Sequence, residues 1–239
     1  MKFFEKPSPN FNDRKDDLKP EFIVIHYTGM KSTEAALERL SDPVSEVSCH
    51  YLIDEKGNVY AMVDEEKRAW HAGVSEWQGK DDINSRSIGI EISNRGNENF
   101  TSEQMGILAL LCNDLMHRHK IPPENIIGHS DIAPDRKQDP GPFFPWKKMA
   151  HYDVGIWPKP TMKDKFNASA AAKNEKYLRK MFAKAGYGVD NPKFEEVVAA
   201  FQSRYEPYVF KDPERIGKPT ARTVAKLRAL VRHNKKQKP

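Results

Sequence analysis

At 239 residues the chain has room for one large domain, or for one domain with a smaller appendage, and in either case for a sizeable core. With 31% charged and 10% aromatic residues it carries too many aromatics for a disordered chain, and its longest apolar runs, at 22–25 and 107–112, are far too short to span a membrane. The net charge of +5 is unevenly spread: residues 164–239 hold eighteen Lys and Arg against eight Asp and Glu, a local +10, which leaves −5 for residues 1–163. Such asymmetry points to two modules. The second either meets an anionic partner, such as nucleic acid, anionic lipid or an acidic cell-wall polymer, or simply carries a solvated basic surface. The N-terminal MKFFEKPSPNFNDRKDD has no apolar h-region followed by a small-residue cleavage site, so no secretory signal is expected in the sequence as written. Cys49 and Cys112 are too few for a disulfide framework and are expected to be buried thiols.

Residues 21–28, EFIVIHYT, predict a buried strand, because β-branched and aromatic residues run up to polar His26 and Thr28. A histidine at the end of a core strand can project into a cleft. Residues 48–63, SCHYLIDEKGNVYAMV, predict a hairpin that turns between Asp54 and Asn58 with Gly57 in the turn, and His50 inside its first strand reads as a hydrogen-bonded core residue. AWHAG (69–73) breaks the regularity: Trp70 and His71 beside Gly73 suit a loop lining a pocket, or plain packing beneath a loop. SRSIGIEISN (85–94) predicts a second core strand with Ile88, Ile90 and Ile92 on one face and Glu91 on the other. A carboxylate central in so apolar a strand either faces solvent at an edge or sits in a cleft, and strand statistics alone favour solvent.

TSEQMGILALLCNDLMHRHK (101–120) predicts the clearest helix. Thr101 or Ser102 caps its first turn, and Met105, Leu108, Leu111, Cys112 and Leu115 form the apolar stripe. Basic residues in the last turn, with Pro122 and Pro123 beyond, stop it. ENIIGH (124–129) then predicts a short strand that delivers His129 at its end, as EFIVIH delivers His26. HSDIAPDRKQDPGPFFPW (129–146) holds four prolines and predicts an irregular loop shaped by side chains or by a bound ion. Alone, His129 and Asp139 read equally as a hydrogen-bonded pair. With His26 they could form a three-ligand zinc site whose fourth position is open to water, with Glu91 as general base and Lys137 stabilising an oxyanion.

These residues carry a resemblance. IHYT with His26, CHYLIDEKG, AWHAG, SIGIEISN with Glu91, and GHSDIAPDRKQDPGPFFPW with His129, Lys137 and Asp139 resemble, in order and spacing from about Glu21 to Trp157, the zinc-dependent N-acetylmuramoyl-L-alanine amidases of the AmpD/AmiD (type-2) family. The PGPFFPW ending and the appended domain resemble its AmiD branch. The resemblance implies an α/β fold with a central mixed sheet flanked by helices, and one zinc ion held by His26, His129 and Asp139. It implies catalytic roles for Glu91 and Lys137 in cleaving the amide between N-acetylmuramic acid, or its 1,6-anhydro form, and L-alanine of peptidoglycan or muropeptides. His71 and Asn84 are candidate substrate contacts. A non-catalytic peptidoglycan-binding protein that keeps the fold is the alternative, although such a protein is expected to lose a ligand and none is lost here.

After Trp157 the composition changes. Residues 1–160 read as the catalytic domain and 161–172 as a linker, because the stretch 157–172 has two prolines and then small residues. Residues 173–239 read as a small three-helix domain. Its stripes (Tyr177, Leu178, Met181, Phe182; Val197, Val198, Phe201; Val224, Leu227, Val231) are core, since three short helices are stable only by packing together. The order AAFQSRYEP then GKPTARTVAKLRAL resembles the peptidoglycan-binding domain, without the usual Asp ahead of the Thr in the last turn. The KKQKP tail is expected to be frayed and solvated. Nucleic acid is not an expected partner, because the basic residues are dispersed over helix surfaces. A monomer is expected. The wall-binding-like domain favours the cell envelope or periplasm, and the missing signal leaves the cytoplasm open.

Overall fold

A run such as Phe22–Tyr27, apolar on both faces, suits only a strand covered from both sides. In the computed structural model of the chain, which describes residues 2–237, it lies inside a six-stranded sheet. Among the described residues the strands are β1 (Phe3–Glu5), β2 (Phe11–Asp13), β3 (Phe22–Tyr27), β4 (Tyr51–Ile53), β5 (Val59–Ala61), β6 (Lys67–Ala69), β7 (Ser87–Ile92) and β8 (Ile126–Gly128). The helices are α1 (Thr33–Ser41), α2 (Ile83–Arg86), α3 (Ser102–His119), α4 (His129–Ile132), α5 (Trp146–Met149), α6 (Met162–Lys165), α7 (Ala168–Ala171), α8 (Glu175–Ala185), α9 (Phe194–Tyr205) and α10 (Ala221–Gln237). The sheet runs β1-β5-β4-β7-β3-β8 and is mixed: β4 and β5 form the antiparallel hairpin, and the other neighbours are parallel. Strands β2 and β6 make a separate antiparallel pair.

The two faces of the sheet have different partners. Ile23, Ile25, Ile88, Ile90 and Ile92 pack on the predicted stripe of α3. That helix carries the expected start: Thr101 Oγ1 accepts from Gln104 N while Gln104 Oε1 accepts from Thr101 N. On the other face, Phe22 and Val24 share one continuous core with Leu178, Phe182, Val198, Phe201 and Leu227 of α8, α9 and α10. The C-terminal helices therefore cover the sheet directly. Where the composition reads as a linker, α6 and α7 pack against α10. Cys49 and Cys112 are buried free thiols.

Two expectations about irregular backbone are corrected. The loop from residue 129 opens with one helical turn, α4, and closes on another, α5, so only its middle is irregular. Helix α10 continues through Gln237, so Lys235 and Lys236 are exposed on a helix; Lys238 and Pro239 lie outside the described residues.

The end of α3 is tied to the hairpin by Glu65, whose carboxylate accepts from Arg118 Nη2 at 2.8 Å and from Tyr51, with His119 Nε2 2.5 Å away. Burial alone raises the Glu65 pKa, but the bonds from Arg118, Tyr51 and His119 outweigh it and hold the carboxyl at about 2. A depressed carboxylate stabilises the fold above its unfolded value and ceases to do so as pH falls towards 2. Glu65→Gln is thus expected to cost about 2 kcal/mol at pH 6, allowing for the part-exposed Arg118, and progressively less as pH falls from 4.5 to 2. Urea unfolding across that range measures it, and a cost independent of pH would contradict it.

Candidate active site

Strand alternation puts Phe22, Val24 and His26 on one face, so the strand that buries Phe22 under the helices presents His26 at its far end. In register, His26 pairs with Glu91 on β7, which places the two side chains next to each other on that face. Strand β8 pairs Gly128 with Ile25, so His129, the following residue, begins α4 beside His26. The loop then brings Asp139 back, and Ser130 N donates to Asp139 O at 2.8 Å to close it.

Three atoms converge. His26 Nδ1 lies 2.9 Å from His129 Nδ1 and 2.9 Å from Asp139 Oδ2, and His129 Nδ1 lies 3.1 Å from the same oxygen. Their protonation follows from the surrounding hydrogen bonds. Ser87 donates its hydroxyl to Ile83 O at 2.6 Å, so its oxygen accepts from His71 Nε2 at 3.2 Å. His71 Nδ1 is then an acceptor and takes the Nε2 proton of His26 at 3.1 Å. His129 Nε2 donates to Ala72 O at 3.2 Å. Both Nδ1 atoms are left with lone pairs directed at each other and at a carboxylate oxygen. Burial and neighbouring His129 push the His26 pKa down to about 4, against the pull of Asp139, which keeps its ring neutral at pH 7. Three buried acceptors with no proton among them repel one another unless a cation lies between them, and two imidazoles with a carboxylate are a donor set that fits zinc.

The cluster floors a cleft of about 470 Å³ whose walls include Glu91, Lys137, His71 and Trp70. Glu91 Oε2 is buried without a hydrogen-bond partner among the described residues. Burial and nearby Asp139 push its carboxyl up to about 8, against the charge of Lys137. The alternative of a solvated edge carboxylate is thereby set aside: β7 is flanked by β3 and β4, and Glu91 faces the cleft.

The N-acetylmuramoyl-L-alanine amidase family model matches residues 16–142, just over half of the chain. The chain belongs to this amidase family. AmiD of Escherichia coli (strain K12) is 34% identical over 232 residues, covering 87% of this chain and 81% of AmiD. The 1,6-anhydro-N-acetylmuramyl-L-alanine amidase AmpD of Salmonella typhimurium (strain SL1344) is 36% identical over 160 residues, covering 60% of this chain and 86% of AmpD. In three dimensions, E. coli AmiD in complex with the substrate anhydro-N-acetylmuramic acid-L-Ala-D-gamma-Glu-L-Lys superposes with a TM-score of 0.78 at 30% identity, covering 94% of this chain and 98% of that one. The protein is thus an N-acetylmuramoyl-L-alanine amidase, cleaving the bond between N-acetylmuramic acid and L-alanine. None of its described helices is long and apolar enough to cross a membrane.

Of the amidase residues singled out from sequence, His26, Glu91, His129, Lys137, Asp139 and His71 meet at one cleft. Asn84 does not: it is buried, and its Oδ1 accepts from His71 N at 3.0 Å and Ala72 N at 2.7 Å, fixing the AWHAG backbone from behind. His71 spends both ring nitrogens on His26 and Ser87, which suits an orienting role better than contact with substrate. Two contributors escaped the sequence reading. Ser87 sets the tautomers, and Gly89 makes the space for them, since a Cβ there would collide with the His71 ring. A glycine inside an apolar strand is the signal by which such a close approach is recognisable. Arg136 also belongs to the frame: its Nη2 donates to Ala72 O at 2.6 Å, the carbonyl shared with His129.

Proposed function

We propose that His26 Nδ1, His129 Nδ1 and Asp139 Oδ2 hold one zinc ion, and that Glu91 and Lys137 carry out proton transfer and charge stabilisation in amide hydrolysis of muropeptides. The observation that carries the proposal is the convergence of three proton-free acceptors beside a buried, unpaired carboxylate. When bound, zinc supplies Lewis acidity and makes water acidic enough to act as a nucleophile near neutral pH. Glu91, its carboxyl pushed up to about 8, takes the proton of the attacking water and returns it to the departing L-alanine amine. Lys137, on the cleft wall, faces the oxygen on which negative charge develops as the lactyl carbonyl becomes tetrahedral. The cleft takes the anhydro-muropeptide class for which the AmiD complex is described. The helical C-terminal unit, similar to peptidoglycan-binding domains, favours the cell envelope as the place of work.

The direct test is mass spectrometry of intact sacculi and of anhydro-muropeptides, each digested by the zinc-loaded protein. Stem peptide with a free L-alanine amine is expected from the anhydro-muropeptides, and its absence from both digests would sink the reading. A second measurement addresses the tautomer chain. His71→Ala removes the acceptor for His26 Nε2 and is expected to raise the zinc Kd about 10- to 100-fold. Competition with a chromogenic chelator reads this, and an unchanged Kd would show that His71 does not orient the ligand.

A further inference from the structure

The turn that begins with His129 is only four residues long, and so short a helix has no stability of its own. Its shape must be imposed by what touches it. Asp131 is the contact point: Oδ2 accepts from Gly128 N at 2.9 Å, which closes the turn, and from Arg204 Nη1 at 2.6 Å, while Oδ1 accepts from Tyr187 Oη at 2.7 Å. Arg204 belongs to α9 and Tyr187 follows α8, so both come from the C-terminal helical unit. All three side chains are buried, at 1%, 4% and 3% exposure for Asp131, Arg204 and Tyr187, so water cannot replace these bonds.

The same guanidinium reaches further. Arg204 Nη2 donates to Ile126 O on β8 at 3.0 Å, and its Cζ lies over the Trp146 ring, 3.9 Å from the ring centroid, at the far end of the loop. One side chain thus grips the strand before His129, the turn that contains it and the end of the loop that returns Asp139. Gly155 leaves room for this: it has φ +71°, and a Cβ there would fall 2.9 Å from Arg204 Nη2.

We infer that Arg204 and Tyr187 are positioning residues for the metal site, acting on His129 through Asp131, so that the C-terminal helical unit is part of the catalytic apparatus and not only a wall-binding appendage. A buried ion pair is a poor source of net stability, whereas this one fixes the direction of a ligand. The inference rests on the ligand set proposed above. Hydrolysis of a small soluble substrate, which needs no wall attachment, should accordingly depend on Arg204 of α9 and on Tyr187 after α8.

The test uses the full-length, zinc-loaded protein with Arg204→Lys, which keeps the charge but cannot bond Asp131 and Ile126 O while stacking on Trp146, and with Tyr187→Phe, which removes one hydroxyl. Val198→Ala, which thins the same helical core without touching Asp131, is the control for general loosening. Expected for Arg204→Lys are a zinc Kd raised about tenfold or more and a lower kcat on soluble anhydro-muropeptide with KM little changed, and for Tyr187→Phe a smaller change in the same direction. Val198→Ala should lower Tm while leaving zinc Kd and kcat at parental values. Parental zinc Kd and kcat in Tyr187→Phe and in any folded Arg204→Lys protein would overturn the inference, as would an equal weakening of zinc binding by Val198→Ala. A parent protein that takes up no zinc would instead bring down the ligand assignment on which the inference rests.

Discussion

Glu91→Ala is expected to retain its full zinc content and to lose about 10²- to 10⁴-fold in kcat. The carboxylate is not among the three converging acceptors, so its removal leaves the donor set whole. What it takes away, on the proposed assignment, is the proton-transfer group, in a cleft where Asp139 is the one other carboxylate among the lining residues. Metal analysis after dialysis and single-turnover release of stem peptide give the two numbers, and metal lost along with activity would place Glu91 among the ligands. A second consequence has the opposite sign. Because burial raises this carboxyl above its unfolded value, this one group binds more protons in the folded than in the unfolded chain between pH 4.5 and about 8, and its own contribution to stability falls as pH rises through that interval. Metal-free Glu91→Gln, neutral at every pH, should therefore melt higher than metal-free parent at pH 8 and match it near pH 4.

Asp139→Ala is expected to lower zinc content far below one per chain and with it to abolish turnover. Asp139 is the one acidic member of the converging set and supplies its negative charge at neutral pH. Without it, two imidazoles remain, and an imidazole brings no negative charge to offset that of a divalent cation. Added zinc at high concentration should restore part of the activity if the imidazoles stay in place. Full zinc occupancy in this variant, measured by atomic absorption, would contradict the ligand role.

Much of this was legible in the chain itself. The strand β3, the hairpin β4–β5 and the helix α3 follow from periodicity and capping, and two apolar runs that lead into His26 and His129 already point to the site. The turn α4 was hidden because four residues are too few to show a period, and the prolines after it speak for irregular backbone. Helices α6 and α7 were hidden in the same way among small residues. The chain Ser87–His71–His26 could not be read locally, since its links are set by a strand register and by the gap that Gly89 leaves. Nor could the Asp131–Arg204 pair, whose partners are separated by 73 positions and meet only through the fold.

The shared face of the sheet also bears on how such enzymes diversify. Phe22 and Val24 are fully buried beneath the C-terminal helices, two residues apart on β3, the strand that carries His26. A family member ending near residue 160 would have to cover these positions with other chain or carry polar residues there. Removing the helical unit alone would expose both apolar side chains to water. Its acquisition and the substitutions at positions 22 and 24 are expected to travel together through the lineage.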